Sequence, residues 1–248
     1  MSYKSAWEAK KSLYFRGDSY LTVSRPGAGV ANLNPSESDS FSVSLWFYDI
    51  SDYTGTLIGN STTNSWSGGE GWNIAYGSNQ LRFWFADGAN WLLRYFSFAN
   101  YSRLQWNHFV MTYDGSSTLA GLKGYYNNSE VLWATEGTSG TLSGIDSSAD
   151  IKMGTGGAYT DYWIGRLSNV AFWSKALTGA EVGEIYRGRN GDIGPGDLNR
   201  HSAQANLVSW WLADNPSDAH DGTIYDEKGS FNAAPTDVHA GDLGYSAP

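Results

Sequence analysis

Cysteine and long apolar runs are both missing from this 248-residue sequence. Without cysteine the chain can form neither a disulfide nor a thiolate metal site. No run of about 18 apolar residues occurs, so we expect no membrane-spanning helix. Lysine and arginine number 16 against 25 acidic residues, and the resulting net charge of −9 disfavours nucleic acid and anionic membranes as partners.

The N-terminal segment has charged residues but no apolar stretch of the kind that a secretory signal contains. Combined with the lack of cysteine, this predicts a protein assembled in a reducing cytoplasm.

Residues suited to catalysis are also scarce. Glycoside hydrolysis uses two carboxylates that face each other roughly 5–9.5 Å apart. The predicted strands 80–86, 91–98 and 106–113 contain no acidic residue, and the pair Glu37 and Asp39 precedes a strand. The four histidines accompany no Gly-x-Ser-x-Gly elbow, and no phosphate-binding Gly-rich loop occurs. We therefore predict that the protein is not an enzyme and that it has no catalytic residues.

Aromatic residues and glycine, by contrast, are plentiful: aromatics make up 15% of the chain, and there are 30 glycines. Residues 41–48, FSVSLWFY, place Phe41, Val43, Leu45 and Phe47 on one face of a strand, a period of two. Further strand-like segments, separated by loops rich in Gly, Ser, Asn and Asp, are 71–76, 80–86, 91–98, 106–114, 122–127, 130–136, 167–174 and 207–214. This spacing predicts an all-β fold, an antiparallel two-sheet sandwich or jelly roll.

One short helix is predicted over residues 176–188. Thr178 and Glu181 have the spacing of a capping box. An apolar stripe follows, and Gly188 is a natural helix stop.

Four segments, taken together and in this order, carry a family resemblance. They are SLYFRGDSYLTV (12–23), FSVSLWF (41–47), WNHFVMTYDG with GYYNNSEV (106–131), and IGRLSNVAFWSKALTGAEVGEIY (164–186). They resemble the laminin-G-like, concanavalin-A-like lectin-glucanase jelly-roll family. The resemblance implies an antiparallel two-sheet jelly roll with one short helix, of a kind that often holds calcium at one rim.

The resemblance covers roughly residues 12–190 and divides the chain. We predict an N-terminal arm at 1–11, a laminin-G-like jelly roll at 12–190, and a C-terminal segment at 191–248. That segment either completes the jelly roll or packs on it. Completion is favoured because Trp210 and Trp211 lie in a run too apolar to leave in water.

The C-terminal segment also resembles a segment of phage and marine viral laminin-G-like proteins, through its Trp-Trp pair and TIYDEKG. The resemblance implies a non-enzymatic virion surface protein, a capsid decoration or head-fibre protein or otherwise a tail component. It would be assembled in the host cytoplasm as a homo-oligomer or symmetric assembly, with capsid or tail proteins as partners. The alternative is a carbohydrate-binding lectin-like module, tail-associated or free, that recognises bacterial surface glycans.

Aromatic residues near loops are the candidates for ligand contact. Sugars are bound by an exposed aromatic platform with nearby amide or carboxylate groups. Trp66, Trp72, Trp91 and Tyr159 lie in or beside predicted loops, with Asn90 and Asp161 as polar neighbours. The same residues suit contact with a neighbouring protein subunit, where Trp and Tyr are equally favoured.

A calcium site, as the family resemblance implies, would lie between the loops 59–66 and 154–165. Calcium needs several oxygen ligands, and these loops offer Asn60 and Asp161. Only Asp161 brings a charge, so a metal-free loop is the alternative that the sequence favours.

The tetrapeptide Arg16-Gly17-Asp18-Ser19 spells a known cell-adhesion signal. Short strands flank it on both sides, and Gly-Asp is a turn dipeptide. We therefore interpret it as a turn between the two opening strands.

Overall fold

The computed structural model describes residues 12–25, 27–65, 67–97, 103–157, 160–187, 194, 196–213 and 222–244. These residues form two antiparallel β-sheets packed face to face, with one α-helix on the outside. The predicted all-β sandwich is confirmed. Within the described residues, no helix is long and apolar enough to span a membrane. The predicted N-terminal arm lies outside them.

Among the described residues, sixteen strands and one α-helix occur in chain order. They are β1 (Ser12–Arg16), β2 (Tyr20–Val23), β3 (Phe41–Asp49), β4 (Gly55–Gly59), β5 (Glu70–Gly77), β6 (Gln80–Asp87), β7 (Trp91–Ser97), β8 (Trp106–Tyr113), β9 (Leu122–Tyr126), β10 (Ser129–Glu130), β11 (Thr135–Ser139), β12 (Ile151–Met153), β13 (Ile164–Trp173), α1 (Gly179–Arg187), β14 (Leu207–Trp211), β15 (Ala234–Thr236) and β16 (Leu243–Gly244).

The strands divide into two eight-stranded sheets. Sheet I has the order β10-β9-β8-β3-β13-β1-β16, and sheet II has the order β11-β7-β6-β5-β4-β12-β2-β15. The eighth strand of sheet I, β14, pairs with the second half of β13, whereas β1 pairs with the first half. A bulge at Asn169 (φ 49°) separates the two halves. One long strand therefore has two successive neighbours on the same edge.

The main core lies between the sheets, as the period of two predicts. Phe41, Val43, Leu45 and Phe47 are all fully buried there. Phe41 is central: its ring stacks on Phe172 with centroids 5.4 Å apart. Aromatic side chains of this size supply the largest apolar area that the fold removes from water.

Helix α1 packs on the outer face of sheet I. The predicted capping box is confirmed, since Glu181 N donates to Thr178 Oγ1 (3.3 Å) and Thr178 N donates to Glu181 Oε2 (2.8 Å). Val182 and Ile185 form a second buried cluster with Val110 and other residues of the sheet. The helix therefore covers only part of this face.

The segment 130–136 differs from its prediction as one strand. Glu130 ends β10 in sheet I, and Thr135 begins β11 in sheet II. Between them the chain crosses from one sheet to the other, with Val131 buried and Trp133 packed against the core. Because both side chains point inward, the apolar alternation continues through the crossover, and the sequence pattern does not show where one strand ends and the next begins.

The C-terminal segment contributes strands to both sheets. β14 pairs with β13, β15 pairs with β2, and β16 pairs with β1. Trp211 lies in the core between the sheets. The exact division of the chain at residue 190 stays a prediction.

The tetrapeptide at residues 16–19 is a turn, as predicted, and it carries the chain from sheet I to sheet II. Gly17 has φ 93°, a conformation that favours glycine. Arg16 is held by the fully buried carboxylate of Asp242, with Nε 2.6 Å from Oδ1. The arginine thus pairs with another part of the fold.

Candidate functional site

The structure reassigns the aromatic residues predicted to contact a ligand. Trp66 and Tyr159 lie outside the described residues. Trp72 was expected beside a loop, but it lies in β5 with no exposed surface, and its ring centroid is 5.9 Å from that of Phe41. The prediction of a Trp72 platform is therefore wrong in this structure, because β5 turns Trp72, like Ile74, into the core.

Asn90 stabilises the turn between β6 and β7 through hydrogen bonds to Asp87. Its backbone N–H donates to Asp87 Oδ1 (2.6 Å), and its side-chain amide donates to Asp87 Oδ2 (3.3 Å). Burial acts to raise the pKa of Asp87, but hydrogen bonds from Asn90, Ser143 and Ala89 outweigh it and lower the pKa to about 2. The side chain of Asn90 is thus used in fixing the loop.

Trp91 lies half-buried on the outer face of sheet II. It packs against a small buried cluster formed by Trp84, Ala86 and Leu93. Of the predicted contact residues that the structure describes, Trp91 is the aromatic one that reaches an outer surface.

The predicted calcium ligands Asn60 and Asp161 do not form a cation site. Asn60 is 1% exposed; its Oδ1 accepts from Trp72 N (2.9 Å), and its Nδ2 donates to Asn34 Oδ1 (2.8 Å). Both ends of the amide are therefore committed to structural hydrogen bonds. Nowhere in the described ranges do three histidines or acidic residues gather as metal ligands. The residues present do not fit a calcium ion.

Asp161 instead lies beside Arg82, on the outer face of sheet II. Burial raises the pKa of the Asp161 carboxyl group, and the positive charge of Arg82 partly opposes that rise. The position of Asp161 is fixed by its backbone, because its carbonyl oxygen accepts from Thr56 N in β4 (3.1 Å). A loop residue is thereby held over the sheet.

Arg82 reaches this face through the alternation of β6. Leu81 and Phe83 point into the core, so Arg82 and Trp84 point outward. In register, Arg82 lies between Tyr95 of β7 and Ala75 of β5. The Arg82 guanidinium carbon is 5.2 Å from the centroid of the Tyr95 ring, a cation–π geometry.

Two further tyrosines lie on the side of Asp161 that faces away from Arg82 and Tyr95. Tyr162 follows it in the chain, and its ring centroid is 6.3 Å from that of Tyr20 in β2. Tyr20 in turn faces Lys152, whose Nζ is 5.2 Å from the ring centroid. We call this set the Arg82 strip: Tyr20, Ala75, Arg82, Tyr95, Asp161 and Tyr162. All six residues are partly exposed.

The chemistry of the Arg82 strip suits recognition of a polar, ring-shaped ligand. Tyrosine rings stand at both ends, a donor and an acceptor lie between them, and the small Ala75 leaves room above the sheet. Ligand sites typically combine aromatic surface with a few polar groups of this kind. Among the described residues of the strip Asp161 is the single carboxylate, whereas hydrolysis of a glycoside needs two.

Comparison with known proteins identifies the family. A sequence profile described as the concanavalin A-like lectin/glucanases superfamily, laminin G type, matches residues 15–183. The chain belongs to this superfamily. A search of curated proteins gave no match. The family's lectin-type fold, the jelly roll, is thus the fold of this chain, as predicted.

Solved structures are similar to this chain at low sequence identity. A Bacteroides ovatus protein, provisionally described as carbohydrate-binding, has a TM-score of 0.63 and 18% identity over 94% of this chain. This chain spans 59% of that protein's length. Domains LG4-5 of the mouse laminin α1 chain give a TM-score of 0.48, with 14% identity over 68% of this chain and 44% of theirs. A heptameric SAP-like pentraxin from Limulus polyphemus gives 0.47, with 17% identity over 92% of this chain and 97% of its own.

Sequence reasoning missed five of the six residues of the Arg82 strip: Tyr20, Ala75, Arg82, Tyr95 and Tyr162. A signal for one of them was present. Arg82 occupies an outward position in β6, an alternating strand whose other face is apolar, whereas the inner face of β7 contains Arg94. A charged residue at such a position on a central strand marks the uncovered face of a sheet.

Proposed function

We propose that this protein is a carbohydrate-binding module that holds a sugar on the Arg82 strip. The observation that carries the proposal is the arrangement of Arg82 and Asp161 between Tyr95 at one end and Tyr20 with Tyr162 at the other. The strip crosses the sheet from β7 to β2, five strand spacings of about 4.8 Å each, so the ligand is an oligosaccharide. In this arrangement its sugars lie over the tyrosines, Arg82 donates to hydroxyl groups between them, and Asp161 accepts from such groups.

The lectin-type fold supports the proposal, as does the provisional description of the Bacteroides ovatus protein as carbohydrate-binding. The flanking rings are held in place rather than free. Tyr95 packs on the buried Trp84 cluster, and Tyr20 contacts Tyr162. Side chains fixed before binding lose less conformational entropy when a ligand arrives.

The test is a glycan array followed by calorimetric titration of the strongest ligand. We expect Tyr95→Ala and Arg82→Gln each to weaken binding by about tenfold or more, which corresponds to about 1.4 kcal/mol. Asp161→Asn should weaken it similarly, because an amide accepts hydrogen bonds less strongly than a carboxylate.

Tyr53→Ala is the matched control, since Tyr53 is 64% exposed and is not part of the Arg82 strip. It should bind as the unmodified protein does. Equal binding by the Tyr95 and Arg82 variants, or no glycan ligand at all, would contradict the proposal. We expect a calcium chelator to leave binding unchanged, because Asp161 lies near the positive charge of Arg82 and Asn60 is committed to structural hydrogen bonds.

We also carry forward the prediction that the module works on the surface of a phage particle, as a capsid decoration, head-fibre or tail protein. The resemblance of the C-terminal segment to viral relatives supports it. The neighbouring genes and the proteins of purified particles test it: capsid, portal or tail genes alongside, and a symmetric copy number on particles, are expected. A free monomeric lectin encoded among metabolic genes would contradict it.

A further inference from the structure

β11 is an edge strand of sheet II, and its outer side is open among the described residues. β7 is the one described strand that pairs with it. Thr135, Glu136 and Thr138 are exposed. An edge strand carries unpaired backbone N–H and C=O groups on alternate residues, and such groups hydrogen-bond to a further strand that lies alongside. β11 is therefore a place where another extended segment can bind.

The other edges of the two sheets are short, blocked or covered. β10 and β16 have two residues each, and β15 has three, of which Pro235 lacks a backbone N–H. β14 is covered on its outer side, since Trp211 bridges to Asp226 and Glu227 N donates to Trp210 O (2.8 Å). Within the described ranges, β11 is thus the one edge strand of five residues with neither a proline nor a covering segment.

The charge on β11 is paired within the chain. Glu136 is the charged residue of this strand, and an inward-pointing charge on an edge strand commonly prevents pairing with another chain. Here Arg94 binds it, with Nη2 2.9 Å from Glu136 Oε2. The same guanidinium group lies over the ring of Trp133, 4.8 Å from its centroid, and Trp133 packs against the core. A strand that approaches β11 therefore meets an anchored ion pair rather than a lone carboxylate.

An aromatic side chain lies at the same edge, on the outer face of sheet II. A Cβ at Gly137 would be 3.0 Å from Trp91 Cζ3, so the glycine leaves space for the indole ring to lie over β11. Trp91 is the register partner of Ser139 and is half-buried. Tryptophan is enriched at protein interfaces. Trp91 therefore adds apolar contact area beside the unpaired backbone.

We propose that β11 pairs antiparallel with β11 of a second copy of this chain, with Gly137 of each copy opposite the other. Sheet II then continues from one copy into the next. The Trp91 ring of each copy lies close to the twofold axis, on the outer face of the joined sheet.

The sequence of β11 selects this register. Residues that lie opposite each other across antiparallel strands point to the same face of the sheet, so in a symmetric pair one residue lies opposite its own copy. With Gly137 in that position all five residues are paired, and Glu136 lies opposite Thr138. A pair centred on Glu136 would instead bring two carboxylates together, which is unfavourable.

The dimer places two Arg82 strips on one surface. The twofold axis of an antiparallel strand pair is perpendicular to the sheet, so the outer faces of both copies point the same way. The two β7 strands, each bearing a Tyr95, are separated by three strand spacings, about 14 Å. Two strips on one surface bind a long oligosaccharide more tightly than either strip alone. This consequence rests on the proposed function, whereas the pairing of β11 does not.

Sedimentation velocity of the full chain over a concentration series tests the pairing without any ligand. Five residues of strand pairing form a small interface, so we expect a dimer that dissociates on dilution. Amide hydrogen exchange, followed by NMR, should show alternate amides of β11 becoming protected as the concentration rises.

Two substitutions of the exposed Thr138 test the register. Thr138→Glu puts a carboxylate opposite Glu136 of the other copy, twice in each dimer, and should raise the dissociation constant by roughly fivefold or more. Arg94 lies on β7, on the far side of Glu136 from the second copy, so the carboxylate is the nearer charge. Thr138→Lys puts an ammonium group in the same place and should leave the dissociation constant unchanged or lower it.

Ala234→Glu is the matched control, because it puts the same charge at an exposed position on β15, the opposite edge of the sheet. It should dimerise as the unmodified chain does. The proposal is overturned if Thr138→Glu and Thr138→Lys, folded as judged by circular dichroism, have the same effect, or if an oligomer other than a dimer forms. A chain that stays monomeric up to about 1 mM also overturns it, and β11 is then open to an extended peptide of another protein. A lack of any glycan ligand bears on the proposed function alone.

Discussion

His108 is a histidine that the fold keeps neutral. It lies fully buried in β8, with its ring centroid 4.9 Å from that of Trp46 and 5.8 Å from that of Tyr186. Within the described structure, neither ring nitrogen has a hydrogen-bond partner. Burial lowers the pKa of His108 from 6.5 to about 3. The unfolded chain therefore binds a proton at this residue through that pH range while the folded chain does not.

The sign of the effect on stability follows from this difference in proton binding. Because the unfolded state takes up the proton first, the free energy of unfolding falls as pH decreases from 6.5 to about 3. We expect His108→Phe to lose less stability over that range, by on the order of a few kcal/mol. Urea unfolding at a series of pH values measures it.

The exposed Leu132 supplies the control for this measurement. Leu132→Ala removes no ionisable group and should keep the pH dependence of the unmodified protein. A His108→Phe profile parallel to the unmodified one would show that His108 does not carry the effect.

At the scale of the element, the cap of α1 gives a second prediction. Thr178→Ala removes the hydroxyl that accepts from Glu181 N and should lower the free energy of unfolding by about 1 kcal/mol. Thr178→Ser keeps the hydroxyl and should stay near the unmodified value. Chemical denaturation measures both, and equal stability of the two variants would contradict the capping role.

Most long strands could be predicted from the sequence because one face of each is apolar and the other is not. β4, β12, β15 and β16 escaped prediction because each has at most five residues and, unlike the equally short β1, β2, β9 and β14, does not belong to a longer apolar or aromatic segment of the sequence. β4 also has glycine at both ends, and β15 contains Pro235, which argues against a strand. Their partners in the sheets, distant in sequence, decide their conformation.

The candidate site was less predictable than the fold. Asp161 was found because an acidic residue in a Gly-rich loop is conspicuous. Two roles were predicted for it: the role as a polar neighbour for a sugar stays a prediction, whereas the role as a metal ligand together with Asn60 is not the one that the structure supports. The arginine near it, Arg82, is far away in the sequence and is brought close because the backbone of Asp161 bonds to Thr56, which is in register with Ala75 and Arg82. Sequence periodicity predicts which face of a strand a side chain lies on. The order of the strands in the sheet decides which side chains are neighbours on that face.

At the scale of the whole molecule, the match to the family profile ends at residue 183, but later residues still contribute strands to both sheets. Removing residues 207–248 deletes β14, β15 and β16, together with the buried Trp211, Ile224 and Ala233. The second half of β13 then loses its outer neighbour, and the core is left open. We expect a chain ending at Asn206 to lack a cooperative unfolding transition and to aggregate.

A chain ending at Gly244 keeps every described strand and is the control, expected to unfold cooperatively. Circular dichroism during heating and size-exclusion chromatography measure the difference. A soluble, cooperatively folded product ending at Asn206 would show that the C-terminal strands are dispensable.

The pairing of Arg16 with Asp242, 226 residues apart, has a consequence for folding during synthesis on the ribosome. β1 leaves the ribosome first, yet its neighbours β13 and β16 come from the last third of the chain. At synthesis rates of about 5–20 residues per second, the opening strands wait on the order of ten seconds or more for their partners. During that interval their apolar faces stay uncovered, and a nascent chain of this kind is a natural client for chaperones at the ribosomal exit.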